Sequence, residues 1–133
     1  MQLELIKNTD ENKRITYKIA RVVYSETRAI SLPAVEAITS MIKNISCRSG
    51  RTFEDIANDA DIFPALRNKE KIADIDINSR GFQMCLRVVS RMIKGGLIDA
   101  CNGATRFHHA EEMPTWAQSI GYVADIDGLL FYA

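Results

Sequence analysis

Ile126-Asp127-Gly128-Leu129-Leu130-Phe131-Tyr132 is the stretch whose reading decides the fold class. Asp-Gly favours the positive φ angles of a type I′ turn, the two-residue connection whose twist matches a pair of antiparallel strands. Apolar and aromatic residues stand on both sides of it, from Ile120 to Ile126 and from Leu129 to Tyr132, so the whole reads as a hairpin. Ala104 to His109 supplies a third strand of similar character. Upstream of Gly95-Gly96 the pattern changes to helical spacing. Helices first and a small antiparallel sheet last predict a single α+β domain over 1–133.

The helices are delimited by local signals. Asp10 or Asn12 can open the first, which runs to about Arg28. Ser31-Leu32-Pro33 breaks it, and Pro33 suits the first turn of a second helix with Ala34, Ile38, Met41, Ile42 and Ile45 on its apolar face. Gly50 follows the end of that helix. Thr52-Phe53-Glu54-Asp55 resembles an N-cap with an acid three positions on, so a short helix begins there. Asn58 to Ile77, with Pro64 inside, reads as a loop with at most one helical turn. Ser79 caps a last helix through Met84, Val88, Met92 and Ile93, closed by Gly95-Gly96.

Composition excludes several classes. Of 133 residues, 47% are apolar and 26% charged, the balance of a soluble globular domain. Seventeen basic and seventeen acidic residues cancel, so there is no nucleic-acid footprint. Arg80, Arg87, Arg91 and Lys94 share a segment, but at helical spacing they read as a solvated face. Cys47, Cys85 and Cys101 form no C-x-x-C pair and are expected to be free and partly buried. Glu4, Lys7, Asp10 and Glu11 interrupt any signal-peptide core, and no apolar run approaches the roughly 18 residues that span a bilayer. The expectation is a monomer with no export signal and no membrane span.

Within the first helix, Ile15, Ile19, Val22 and Glu26 step by four, three and four and share one face. The positions that could give Glu26 a helical ion pair are Val22, Val23, Ala29 and Ile30, and none is basic. A carboxyl group that is partly desolvated and unpaired holds its proton to higher pH, which suits a general acid. The other reading is a boundary glutamate at a helix end reaching into water.

Four further features belong with Glu26. Asn44 falls on the stripe of Ala37 and Met41, so its amide points inward, either to tie down a loop or to meet a ligand. Phe63 is an aromatic in a polar loop, a local core plug or a binding platform. In Gly103-Ala104-Thr105-Arg106-Phe107-His108-His109 the adjacent histidines point to opposite faces of a strand, one to a cleft and one to solvent. They cannot easily share a metal, so neither a metal nor any other cofactor is expected. Trp116, in Pro114-Thr115-Trp116, is either core or a surface that stacks on a sugar ring.

Taken in order, Ala20-Arg21-Val22-Val23-Tyr24-Ser25-Glu26, Ile42-Lys43-Asn44, Phe63, Gly103-Ala104-Thr105-Arg106-Phe107-His108, Pro114-Thr115-Trp116-Ala117 and Phe131-Tyr132 resemble the bacterial cell wall hydrolase family typified by the spore cortex-lytic enzymes. The resemblance runs from about Ile19 to Tyr132. It implies a lysozyme-like fold, action on the glycan strands of the bacterial cell wall, and Glu26 as the catalytic acid. It also implies that Asn44, Phe63, Gly103, Ala104, Thr105, Phe107, His108, Trp116 and Tyr132 line the glycan. The chain departs from the family pattern in having Ile30 where a second acid is frequent and Ile45 where arginine is common. Leu129 and Leu130 stand where a histidine tends to precede the Phe-Tyr pair.

Glycoside cleavage ordinarily uses two carboxyl groups. Here one acid is well placed, and only Asp59 and Asp61 offer themselves as a second. A lytic transglycosylase needs one group alone, acting as acid and then as base, so the expected reaction yields a 1,6-anhydromuramoyl end. The alternatives are a non-catalytic peptidoglycan-binding or interaction domain on the same fold, and a hydrolysing muramidase using Asp59 or Asp61.

Overall fold

The computed structural model describes the backbone of residues 2–73 and 75–133, and the side chains of these except 2–10, 71 and 73. The signal-peptide reading of Glu4, Lys7 and Asp10 therefore concerns side chains outside those described. In chain order the elements are α1 (Gln2–Thr27), α2 (Leu32–Ser49), α3 (Phe53–Ala57), a 3₁₀ turn (Pro64–Arg67), α4 (Lys69–Ala73), α5 (Arg80–Ile93), β1 (Arg106–His109), a 3₁₀ turn (Thr115–Ala117), β2 (Ala124–Ile126) and β3 (Leu129–Tyr132). The domain is α+β, as its residue pattern predicts.

Local chemistry sets the helix starts. The hydroxyls of Ser31, Thr52 and Ser79 accept from the backbone N–H three residues on, at 3.2, 3.1 and 3.1 Å. Each such cap is worth about 1 kcal/mol. Gly50, at φ 76°, ends α2 and returns its N–H to Ser46. Two expectations are corrected. The first helix begins at Gln2 rather than at Asp10 or Asn12, and Asn12 lies inside it with its carbonyl accepting from Thr16. The surrounding Leu, Glu, Lys and Gln are strong helix formers, which outweigh one or two residues that favour caps. Likewise, the presumed loop 58–77 holds the Pro64–Arg67 turn and α4, whose Lys-Glu-Lys-Ile-Ala sequence is helix-favouring throughout.

The core is one cluster. Ile19 and Val23 of α1, Ile38 and Met41 of α2, and Phe82 and Val88 of α5 meet beneath the sheet, which adds Phe107 and Phe131. Tyr17 and Tyr24 set their ring edges against Phe82 at 5.5 and 6.1 Å. Cys85 and Cys101 are buried and Cys47 exposed, all three as free thiols. Arg87, Arg91 and Lys94 lie on an exposed face. No described helix is long and apolar enough to cross a membrane.

The sheet is antiparallel in the order β1-β3-β2, with Phe107 opposite Phe131 and His109 opposite Leu129. Asp127 and Gly128 have φ of 47° and 85°, the two positive values a type I′ turn requires. β3 spans Leu129–Tyr132 as predicted, while β1 and β2 are shorter than the predicted 104–109 and 120–126. Asp127 also accepts a short hydrogen bond from the Ser31 hydroxyl. The hairpin tip is thereby fixed beside the junction of α1 and α2, where Glu26 lies.

Candidate active site

Glu26 is positioned by the way α1 ends. Arg28 and Ala29 both have positive φ, at 51° and 53°, in a region that non-glycine residues seldom occupy and that costs about 1–2 kcal/mol each. The surroundings enforce it. The Thr27 hydroxyl donates to the Val23 carbonyl at 2.8 Å and accepts from the Ala29 N–H at 3.1 Å, while Ile30 N–H returns to the Thr27 carbonyl. The Arg28 guanidinium lies over the Tyr24 ring. Ala29 presses against α5 at Gly81, where a Cβ would come within 2.8 Å of the Ala29 methyl. Strain of this kind, directly after the candidate acid, fixes where its carboxyl group sits.

That carboxyl group is covered, with a side-chain exposure of 1%. Oε1 accepts from the Ala65 backbone N–H at 2.6 Å, and Oε2 is 3.0 Å from His109 Nε2. The expectation of an unpaired carboxylate is therefore corrected. Its partner lies 83 residues away on β1, beyond the reach of any helical spacing rule. An ionised carboxylate can only accept, so Nε2 is the protonated nitrogen when Glu26 is charged. The His109 imidazole is raised above the ordinary histidine range, chiefly because it donates to Glu26. Burial opposes the shift, and the charges of Glu26, Glu111 and Glu112 add to it.

Glu26 and His109 line a cavity of about 440 Å³, with Ile30 and Leu129 as apolar lining and Glu111 and Asp127 as further carboxylates. Sequence reasoning missed His109 as the partner of Glu26, and missed both of these carboxylates. Asp127 is engaged by Ser31, and Glu111 is exposed. Asp59 and Asp61 do not line this cavity. Asp59 is held below the usual carboxylate range by the Asp61 backbone N–H, against burial and with help from Arg51. Asp61 pairs with Arg67 at 2.7 Å.

The remaining candidates divide into three groups. Thr105, Phe107 and Trp116 line a second cavity of about 540 Å³. The Phe107 and His109 rings, two residues apart on β1, lie 5.7 Å from each other. Phe107 lines this second cavity and His109 the one that holds Glu26.

Asn44, Gly103 and Ala104 build the loop that leads into β1. Asn44 is half-buried and donates to the Ala104 carbonyl at 3.1 Å and to Asp99 at 3.3 Å. Asp99 in turn accepts from the N–H groups of Cys101 and Gly103 at 3.2 and 2.7 Å. Burial disfavours its charge, but these donors hold its carboxyl below the usual range. Of the two roles open to Asn44, the geometry is that of a loop tie. Asp99 was missed, although an Asp two residues before the N–H it caps is an ordinary turn signal.

Phe63, His108 and Tyr132 are interior. Phe63 is fully buried at 6.1 Å from Phe107, so it is a core plug and offers no platform to a ligand. His108, expected to line the glycan, is interior instead, being only 4% exposed. It donates from Nδ1 to the His109 carbonyl at 2.8 Å, leaving Nε2 to accept from the Tyr132 hydroxyl at 2.8 Å. Tyr132 stacks on it, and Trp116 closes over both with its edge at 5.8 and 5.0 Å. The outer face of β1 is thus covered by an aromatic cap. No group of three or more metal-ligating side chains exists among the described residues.

Comparison with protein-family models, curated proteins and solved structures gives no match for this chain.

Proposed function

We propose that this protein cleaves the glycan strand of peptidoglycan between muramoyl and glucosaminyl residues, as a lytic transglycosylase on a lysozyme-like fold, with Glu26 as general acid and base. One observation carries the reading: a buried carboxyl group, fixed at a strained helix end by a backbone N–H and an imidazole, opens into a cavity on β1. The sequence resemblance names the reaction.

In the first step Glu26 gives its proton to the glycosidic oxygen and the bond from that oxygen to the muramoyl C1 breaks. The C6 hydroxyl of the same muramoyl ring then bonds to C1 and returns its proton to Glu26. No water is consumed, and the carboxyl group ends as it began. One group serving both half-steps must give and take a proton at the working pH. His109 supplies the means. Glu26 protonated beside neutral His109, and charged Glu26 beside protonated His109, contain the same number of protons, so a shift along one hydrogen bond arms the acid.

Replacing Glu26 with Gln keeps the shape and the Ala65 bond but removes the transferable proton. Loss of acid–base help costs typically 10²–10⁴-fold in rate. The test is the cleavage rate of purified peptidoglycan by native protein and by Glu26→Gln.

A second reading, a non-catalytic glycan-binding domain, is favoured by the fact that both Glu26 oxygens are bonded and the side chain is almost wholly covered. In that case the native protein retains glycan without cutting it, and Glu26→Gln alters only stability.

A further inference from the structure

The 540 Å³ cavity at the Thr105 end of β1 holds two guanidinium groups without a carboxylate partner. Arg48, on the last turn of α2, and Arg106, the first residue of β1, both line it. Neither forms an ion pair with any described residue, whereas Arg14, Arg51, Arg67 and Arg91 all do. The cavity's one carboxylate, Asp61, is taken by Arg67.

Both arginines are held in place by other means. The Arg106 guanidinium lies 5.3 Å from the centre of the Trp116 ring. A Cβ on Gly103 would stand 3.3 Å from Arg48 Nη2, so the bare glycine, with φ of 76°, leaves room for that side chain. Ile45 and Phe107 supply apolar walls between them. Two unneutralised guanidinium groups beside apolar walls match a carboxylate carried on a short apolar branch.

Taking the glycan reading above as the premise, we infer that this cavity binds a carboxylate on the acidic branch of the muramoyl residue, with Arg48 and Arg106 as its two cationic contacts. Two sources share this chemistry: the free lactyl carboxylate of an unsubstituted muramic acid, and the carboxylates of an attached stem peptide. The Phe107 ring of this cavity lies 5.7 Å from the ring of His109, which lines the cavity holding Glu26, so a branch held here bears on which sugar faces the acid. Strands whose acidic branch is neutral are then poor ligands.

Trp116 is the chain's single tryptophan and lines the cavity, so its fluorescence reports occupancy without requiring cleavage. The experiment titrates Glu26→Gln protein with N-acetylmuramic acid, with N-acetylmuramoyl-dipeptide, and with the fully amidated forms of each. The expected result is saturable binding of at least one acid, weakened on the order of tenfold or more by amidation or by Arg48→Gln or Arg106→Gln, as for loss of a charged hydrogen bond. Tighter binding of the dipeptide assigns the site to the stem peptide, and tighter binding of N-acetylmuramic acid to the lactyl carboxylate. Equal affinity for acids and amides, unchanged affinity in the Arg48→Gln, Arg106→Gln double variant, or no binding at millimolar ligand would overturn the inference. Binding as expected by a native protein that cuts nothing would keep this site and remove the catalytic reading.

Discussion

A single hydrogen bond, from His109 to Glu26, decides how the candidate acid behaves. Because His109 is raised above the ordinary histidine value of about 6.5, chiefly by its hydrogen bond to Glu26, it keeps its proton to higher pH than a free imidazole does. As pH rises through the raised value that proton leaves, and Glu26 has nothing to donate. The rate of cleavage should therefore fall on the alkaline side in step with the His109 ring signal followed by NMR, and that signal should move to lower pH in Glu26→Gln. Stability follows the same sign. The bond's contribution is fully present below the unfolded value and is lost as pH rises through the folded one. A melting-temperature gap between native protein and His109→Gln that stays constant from about pH 6 to 9 would contradict this. This pairing was not legible in the sequence, since a rule based on three- and four-residue spacing cannot see a partner brought in by a distant strand. The stripe of Ile19, Val22 and Glu26 was legible, and all three are buried as that spacing requires.

At the scale of elements, the signals that act over three or four residues gave sound boundaries except at Asp10 and Asn12, which lie inside α1 rather than at its start. Thr52 and Ser79 cap the helices they were expected to cap, Pro33 stands in the first turn of α2, and Asp127-Gly128 turns the hairpin. Those that depend on tertiary packing did not. His108 sits under Trp116 and Tyr132, which no local pattern predicts. Two junctions between elements carry the candidate site and can be tested by stability. Asn44→Ala removes the donor to Ala104 and Asp99 and should cost about 1–3 kcal/mol, read from chemical denaturation; an unchanged midpoint would count against the tie. Gly81→Ala places a methyl against Ala29 at 2.8 Å and should cost about 1–3 kcal/mol by overpacking. Ala29→Gly removes the opposing methyl at a position of positive φ. The penalty of Gly81→Ala should shrink in that background, and equal penalties in both backgrounds would show that the two residues do not meet.

For the molecule as a whole, helices and sheet share one core, and β1 supplies lining to both cavities, Arg106 and Phe107 to one and His109 to the other. The fold separates Glu26 from Asp59 and Asp61, neither of which lines its cavity, while Glu111 and Asp127 do. The central claim is that Glu26 cuts the glycan by intramolecular transfer. Its most direct test is mass spectrometry of the products released from purified peptidoglycan by the native protein and by Glu26→Gln. The account predicts muropeptides ending in 1,6-anhydromuramoyl residues, lighter by one water than hydrolysis products, from the native protein, and at least about a hundredfold less from the variant. Reducing-end products, or comparable cleavage by Glu26→Gln, would contradict it.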